Sequence, residues 1–304
     1  MSRNYQSNIV IRRTESESAV PQHRTNAPFS DVPQHAAADQ VQDFSDQFCI
    51  LVAASDRAKD IFEVSFQNAD VIWRDCNWKR YVGFTSQHPD ILGFEALSAK
   101  ADSDWRGRLG DYLDSLPDNF KFVMLIVEDF LFTKPISGAQ LNALAEEIAR
   151  NNLAYVKLTP VLRNVPGRLV ESLRRTISKE PFRPLSFSEP YYSSLETTIW
   201  RRGYLRSLLC QPGTVWEFEH TVSSERHYAV WNPVVEYVGL VAREKWNREA
   251  PWLLARQGLS LGDSRRERQN IKFELRRIRE KIVFQIFGFL SFRVRRRLNK
   301  ISRN

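Results

Sequence analysis

The sequence predicts an α/β fold, a mostly parallel sheet with helices on both faces. Two observations carry that prediction. Strand-like and helix-like stretches alternate from Phe48 to Leu158, an order that builds a parallel sheet flanked by crossover helices. Within that order, Val123 to Val127 form a short apolar run that reads as a strand buried on both faces, as parallel strands are. The run stops at two adjacent acids, Glu128 and Asp129. Ligands of open α/β sheets bind beyond the carboxyl ends of the strands, so phosphate, metal or sugar chemistry is expected at these acids. Solvated residues at a strand end are the alternative.

Each element has its own signal. Phe48 to Ala54 is the first strand, followed by the turn formers Ser55, Asp56 and Arg57, whose side chains can bind a ligand. Asp60, Ile61, Phe62 and Phe66 then keep a helical spacing. Asp56 either holds a nucleotide base or ribose or caps that helix. A second strand lies within Asp70 to Thr85, centred on Tyr81-Val82-Gly83-Phe84. Asp102-Ser103-Asp104-Trp105 opens a helix with Leu109, Tyr112, Leu113 and Leu116 on its apolar face, a spacing that makes Trp105 a core residue rather than a stacking surface. Pro117-Asp118 ends that helix before the central strand. Ser137 and Gln140 match a capping box for the next helix, with Leu141, Leu144 and Ile148 on its buried side. Ala154 to Leu158 is another strand.

Regular patterning lapses from Pro160 to Pro190, where Pro166-Gly167, Pro181 and Pro184 mark loops able to cover a site. Thr197 to Trp200 favour a strand, Arg201 to Leu209 a short helix, and Val215-Trp216-Glu217-Phe218-Glu219-His220 alternate apolar with charged side chains.

Composition bounds the class. A 42% hydrophobic content is ordinary for a globular chain and supplies a core. Cys49, Cys76 and Cys210 are odd in number and widely spaced, which excludes a disulfide framework or zinc ribbon and fits a reducing cytoplasm. No signal-like N-terminus and no bilayer-length apolar run is expected. The net charge is +8, yet residues 264–304 hold 14 Lys/Arg and 3 Asp/Glu, an excess of +11 that leaves the remainder at −3. A mildly acidic body argues against nucleic acid as a partner. Residues 1–45, rich in Ser, Gln, Asn, Pro and Ala, read as a disordered leader. The folded domain is expected over 46–262, and 263–304 reads as a basic amphipathic helical tail. Its apolar block Ile282 to Phe292, bracketed by arginines, suits the headgroup layer of an anionic membrane or a terminal helix docked on the body.

Val127-Glu128-Asp129-Phe130-Leu131 with Lys134-Pro135, then Ser194 to Arg201, then Trp216-Glu217-Phe218-Glu219, together resemble bacterial glycosyltransferase-like proteins of polysaccharide gene clusters, with a GT-A (Rossmann-like) fold. Ala53-Ala54-Ser55-Asp56, Ser103-Asp104-Trp105 and Gly239 to Trp246 extend the resemblance, which covers roughly 46–262. It implies sugar transfer from a nucleotide-sugar donor to a glycan or lipid-linked acceptor at the cytoplasmic face of the plasma membrane. By the same resemblance Ser55, Asp56, Trp105, Glu128 and Asp129 bind the donor, and Glu128 and Asp129 stand where a Mn²⁺ or Mg²⁺ motif is found, as adjacent rather than spaced acids. Trp200 and Trp216 face the acceptor, and Glu217 or Glu219 is the general base alongside Asp129. A cation must stabilise the departing diphosphate; Arg201, Arg202 and Arg226 are candidates besides the metal. His220 and His227 are possible further metal ligands, or structural hydrogen-bonding residues. A non-catalytic sugar- or nucleotide-binding scaffold is the competing reading, and a metal-dependent phosphoesterase built on Asp56, Glu128 and Asp129 is a third.

Overall fold

The computed structural model describes residues 44–86, 93–100, 104–160, 172–176, 178, 180–187, 189, 191–211, 213–219, 225–262, 264 and 266–287. The predicted leader, up to residue 43, and most of the apolar block 282–292 lie outside the described side chains, as does His220.

The sheet has eight strands: β1 (Phe48–Ala53), β2 (Lys79–Phe84), β3 (Glu95–Ser98), β4 (Phe122–Val127), β6 (Tyr155–Lys157), β7 (Phe182–Pro184), β8 (Thr198–Arg201) and β9 (Tyr228–Val230). Their order is β3-β2-β1-β4-β8-β6-β9-β7. β1 pairs in parallel with β2 on one side and β4 on the other, and β2 with β3. β8 runs antiparallel to both β4 and β6, β9 is parallel to β6, and β7 closes the edge antiparallel to β9. Six strands therefore run one way and β7 and β8 the other, a mixed but mostly parallel sheet.

Side chains alternate between two cores because a strand's period is two residues. Phe48, Ile50, Val52, Phe122, Met124 and Ile126 face the first core, where α1 (Lys59–Phe66) supplies Phe62 and Phe66 and α4 (Gly138–Arg150) supplies Leu141, Ala145 and Ile148. Cys49, Leu51, Val123 and Leu125 face the second, covered by α3 (Trp105–Ser115) and α5 (Arg202–Leu209). α2 (Ala69–Ile72) precedes β2. Phe48 stacks between Trp78 and Phe122 at 5.0 and 4.7 Å, contacts that add about 0.5–1.5 kcal/mol each beyond area burial. Gly83 exists in β2 because a Cβ there would lie 2.4 Å from the Tyr112 ring; only a bare backbone lets α3 come so close.

Ser137 caps α4 as the sequence predicts, whereas α1 begins after Ala58 with no side-chain cap, so Asp56 does not take the capping role. Ser137 Oγ accepts from Gln140 N–H at 3.2 Å, and Asp104 accepts from Gly107 N–H at 2.7 Å, each worth about 1 kcal/mol. The alternating stretch after Gly213 is a helix, α6 (Val215–Glu219), with Phe218 and Glu219 turned inward.

A small extension sits beyond the sheet. β5 (Phe130–Phe132) pairs antiparallel with β10 (Tyr237–Gly239), and β11 (Val241–Ala242) with β12 (Lys245–Trp246). Leu131, Leu240 and Trp246, with α7 (Ala250–Ala255) and the outer side of α1, make a third core. The body's hydrogen bonding continues past 262. Trp246 N–H donates to the Glu267 carbonyl at 2.8 Å, Gln269 N–H returns to the Trp246 carbonyl at 2.8 Å, and Arg266 grips Asp60 at 2.9 Å. Residues 264–269, counted in sequence with the basic tail, are thus bound to the body, and α8 (Ile271–Phe287) follows them.

Candidate functional site

β1 leads outward to β2 and β3, whereas β4 returns to its other side. That reversal places a topological switch point, where α/β folds form their ligand crevice, beyond the carboxyl ends of β1 and β4. Ser55 and Asp56 follow β1, Thr85 and Ser86 follow β2, and Glu128 and Asp129 follow β4. Asp56 is committed to shaping this edge. Its carboxylate accepts from Thr85 N–H at 3.0 Å, Ser86 N–H at 3.1 Å and Ser86 Oγ at 2.6 Å, tying the turn after β1 to the turn after β2. Ser55 makes no side-chain cap to the 3-10 turn it precedes.

Glu128 and Asp129 occupy the turn between β4 and β5, and both are half-buried. Leu240 N–H donates to the Asp129 carbonyl at 2.8 Å, and Gly239 passes beside the Asp129 carboxylate, a Cβ there lying 4.0 Å from Oδ2. Burial pushes Glu128 up to about 7, with the Asp129 charge adding to it and Arg266 opposing it. Burial likewise pushes Asp129 up to about 6, and here the neighbouring charge is Glu196. The neighbouring charges differ: Asp129 and then Arg266 act on Glu128, and Glu196 acts on Asp129.

Glu196 lies in the Ser194 to Arg201 stretch that carried the resemblance, but was not among the residues expected at the site. Leu125 pairs with Thr198 across the antiparallel β4–β8 ladder, so extending the register sets Glu196 across from Val127, next to the acidic turn. Its carboxylate is exposed, and buried Lys157 at the end of β6 holds it at 2.9 Å. The Tyr237 phenol stands beside Glu196 and Thr159; burial first, then the Glu196 charge, raises its pKa. The crevice thus brings together Asp129, Glu196, Lys157 and Tyr237 from four separate elements. Only Asp129 among these was legible as a site residue, since an isolated Glu and a strand-end Lys have no local signature. On the far side of Glu128, Arg266 donates to Asp60 and to the Arg57 and Glu244 carbonyls at 2.8–2.9 Å. Against the cost of burial, Arg266 and Ser264 hold Asp60 below the usual carboxylate range.

The other expected residues lie elsewhere. Trp200 is fully buried, its indole N–H donating to Thr198 Oγ1 at 2.8 Å and its ring edge-on to Tyr155 at 4.5 Å; it is a core residue with no face open to a sugar. Trp105 packs edge-on against Phe218 at 5.6 Å and donates to the Gly213 carbonyl at 3.3 Å, joining the start of α3 to α6. Trp216 is 67% exposed on the outward side of α6. Glu217 is engaged by Thr214, accepting from its N–H at 2.7 Å and its hydroxyl at 3.0 Å. Those bonds, led by the backbone one, lower its pKa. Glu219 is buried, accepts from Leu195 N–H at 3.3 Å, and is raised by burial.

Arg201 and Arg202 are at the opposite edge of the sheet. Arg201 pairs in register with Phe122, the first residue of β4, about 20 Å of strand from the acidic turn. Arg201 binds Glu225 at 2.6 Å and Arg202 the Pro117 carbonyl at 2.9 Å. Arg226 precedes β9 at that same end of the sheet, so all three lie at the end away from Glu128 and Asp129. His227 is structural: fully buried, stacked on Tyr155 and Tyr192 at 4.3 Å each, with Nε2 2.7 Å from Tyr204 Oη and Nδ1 2.9 Å from the Tyr192 carbonyl. Among the described residues, no group of three or more His, Cys, Asp or Glu is arranged around a common metal position.

No protein-family model matches the chain, and no curated protein matches it. Solved structures give partial likenesses. S. aureus TarS 1–349 aligns at 14% identity over 63% of this chain and 59% of its own, with a TM-score of 0.40. 4-Diphosphocytidyl-2C-methyl-D-erythritol synthase from Anaerococcus prevotii aligns at 10% identity over 71% and 98%, with a TM-score of 0.39. A cytidylyltransferase from Leptospira borgpetersenii aligns at 12% identity over 57% and 68%, with a TM-score of 0.33.

Proposed function

We propose that this chain is a glycosyltransferase of GT-A type, moving a sugar from a nucleotide-sugar donor to a glycan or lipid-linked acceptor in cell-surface polysaccharide biosynthesis. The observation that carries the reading is the acidic crevice at the β1/β4 switch point, where Asp129 and Glu196 converge from distant parts of the chain. The donor nucleotide lies along the turns after β1 and β2, whose shape Asp56 fixes.

A sugar hydroxyl is a weak nucleophile, so a carboxylate must take its proton as it attacks the anomeric carbon. Of the sequence-derived candidates, Glu217 is occupied by Thr214 and Glu219 is buried, whereas Glu196 is open and oriented by Lys157. Glu196 accepts the proton in this reading. Asp129 would offer a hard oxygen donor of the kind Mg²⁺ or Mn²⁺ favours, the rest of the shell coming from the diphosphate and water, and its burial gives it reason to take a cation. Such a cation, when bound, would neutralise charge on the departing diphosphate.

The acceptor is met at the inner face of the plasma membrane, to which the basic C-terminal segment binds. The test is a melting-temperature screen of nucleotide sugars with and without Mn²⁺, because a ligand of the native state raises the midpoint. One donor is expected to raise it, more so with metal, and Asp129→Asn to remove the metal-dependent part. A panel of nucleotide sugars that leaves the midpoint unmoved under both conditions sinks the proposal.

A further inference from the structure

α8 carries two faces of opposite character. On one, Arg277 donates to Glu249 at 2.7 Å and the Arg243 guanidinium sits 5.3 Å over the Phe273 ring. These contacts clamp the helix to the body at the start of α7. On the other, Ile271, Leu275, Ile278 and Ile282 are 59, 61, 47 and 53% exposed. Their spacing of four, three and four residues aligns them along the helix. At about 100° per residue, Phe273 lies nearly opposite that line, so the apolar stripe faces away from the body. Four exposed aliphatic side chains in a row call for a cover.

Charge selects the cover. By the same geometry Lys272 and Arg279 flank the stripe on one side and Glu274 on the other, with Arg276 and Glu280 paired further round, and residues 271–304 carry 11 Lys/Arg against 2 Asp/Glu, so a second copy would set one strongly basic segment against another. An anionic leaflet complements them instead, and helices with aliphatic side chains on one face and Lys/Arg on the other lie in the headgroup layer. A second element points the same way. Trp252, three residues beyond Glu249, is 59% exposed with the Arg256 guanidinium 4.9 Å from its ring, an amphipathic pairing suited to an interface.

We propose that Ile271, Leu275, Ile278 and Ile282, together with Trp252 beside the clamp, form a footprint on an anionic membrane surface, and that the Arg277–Glu249 and Arg243–Phe273 contacts fix how the body stands on it. The footprint begins well before the apolar block 282–292 and makes the docked helix and the membrane-binding helix one element. It deepens the membrane part of the proposed function and does not require sugar transfer.

The test is flotation of the full-length protein with phosphatidylcholine vesicles, with and without phosphatidylglycerol, comparing wild type, Leu275→Glu/Ile278→Glu and Trp252→Phe. Wild type partitions to the anionic vesicles, less at high salt. The double variant loses at least about tenfold of that partitioning, because two aliphatic side chains no longer enter the interface, while its melting temperature stays at the wild-type value. A quencher carried on the lipid headgroups dims wild-type fluorescence by a component that Trp252→Phe removes. Wild-type partitioning in the double variant, equal binding to neutral vesicles, a quenching component unchanged in Trp252→Phe, or a vesicle-free dimer that the double variant dissociates each overturn the proposal. The last outcome assigns the stripe to a second copy. Nucleotide-sugar melting shifts on the same proteins separate the two readings: a shift without vesicle binding sinks the footprint alone, and vesicle binding without a shift sinks the transferase reading alone.

Discussion

Replacing Glu128 by Gln, or Asp129 by Asn, should stabilise the protein at pH 8 and leave it nearly unchanged at pH 3, with an intermediate gain at pH 5. An unfolded glutamate titrates near 4.5 and the folded Glu128 near 7; for Asp129 the values are 3.8 and about 6. The folded state therefore binds extra protons between these values. Stability from each group is fully present below its unfolded pKa and is lost as the pH rises through its folded one. At about 1.4 kcal/mol per pKa unit, each ionised acid costs up to about 3 kcal/mol at pH 8. Water reaching the half-exposed carboxylates trims this to about 2 kcal/mol. For a domain of this size each kcal/mol moves the midpoint by about 2–4 °C, so either amide variant should melt about 4–8 °C higher at pH 8. Calorimetry or far-UV circular dichroism in EDTA, which removes any stray divalent cation, reads this directly. The same gain at pH 3 as at pH 8, or a loss at pH 8, would refute the argument that these acids are held ionised at a cost. Stability sacrificed at one turn, together with lost transfer in Asp129→Asn, is the pattern of a site kept for function.

The remaining predictions concern other groups. His227 has its pKa lowered by burial from 6.5 to about 4, so the stability of its neutral ring is present above pH 6.5 and lost as the pH falls through 4. Urea titrations should show a decline of about 3 kcal/mol across that window, and His227→Gln should flatten it. Glu196→Gln is expected to lower kcat by about a hundredfold or more with little change in donor affinity, whereas Glu217→Gln, at a carboxylate bound by Thr214, should turn over normally; the reverse result would restore Glu217 as the base. A chain ending at Asn270 should melt cooperatively near the wild-type temperature, while one ending at Gly262 should lose several degrees with the Arg266–Asp60 and Trp246 contacts; equal melting of the two would show that those contacts contribute nothing.

The parallel core was legible because local and global signals agree there. Val123 to Val127 read as a strand buried on both faces, and Ser137 with Gln140 as a helix start, from neighbouring residues alone. Strand direction was not legible. Thr198 to Trp200 look the same run either way, and only the pairing of Leu125 with Thr198 reveals that β8 is reversed. That one fact moves Arg201 and Arg202 to the far edge and delivers Glu196 to the crevice. Aromatic residues misled for a related reason. Trp200 and Trp216 have the same side chain, yet one is fully buried and the other 67% exposed, a difference made by tertiary packing that neighbouring residues do not encode. The alternation from Val215 to Glu219 resolved into one helical turn, which divides Glu217 from Glu219 across opposite faces.

The reversal of β8 also makes β6 and β8 the two arms of a very wide hairpin. Lys157 and Thr198 are register partners, and the segment between them returns β7 to the sheet as its outer strand on β9 and Tyr192 and Leu195 to the second core. Loop closure grows only slowly with length, about 0.6 kcal/mol per doubling. The segment can change length with little penalty to the sheet only outside β7 and those core residues. Its ends meet at Lys157 and Glu196, so whatever the segment between them becomes, the same charge pair is returned to the same place.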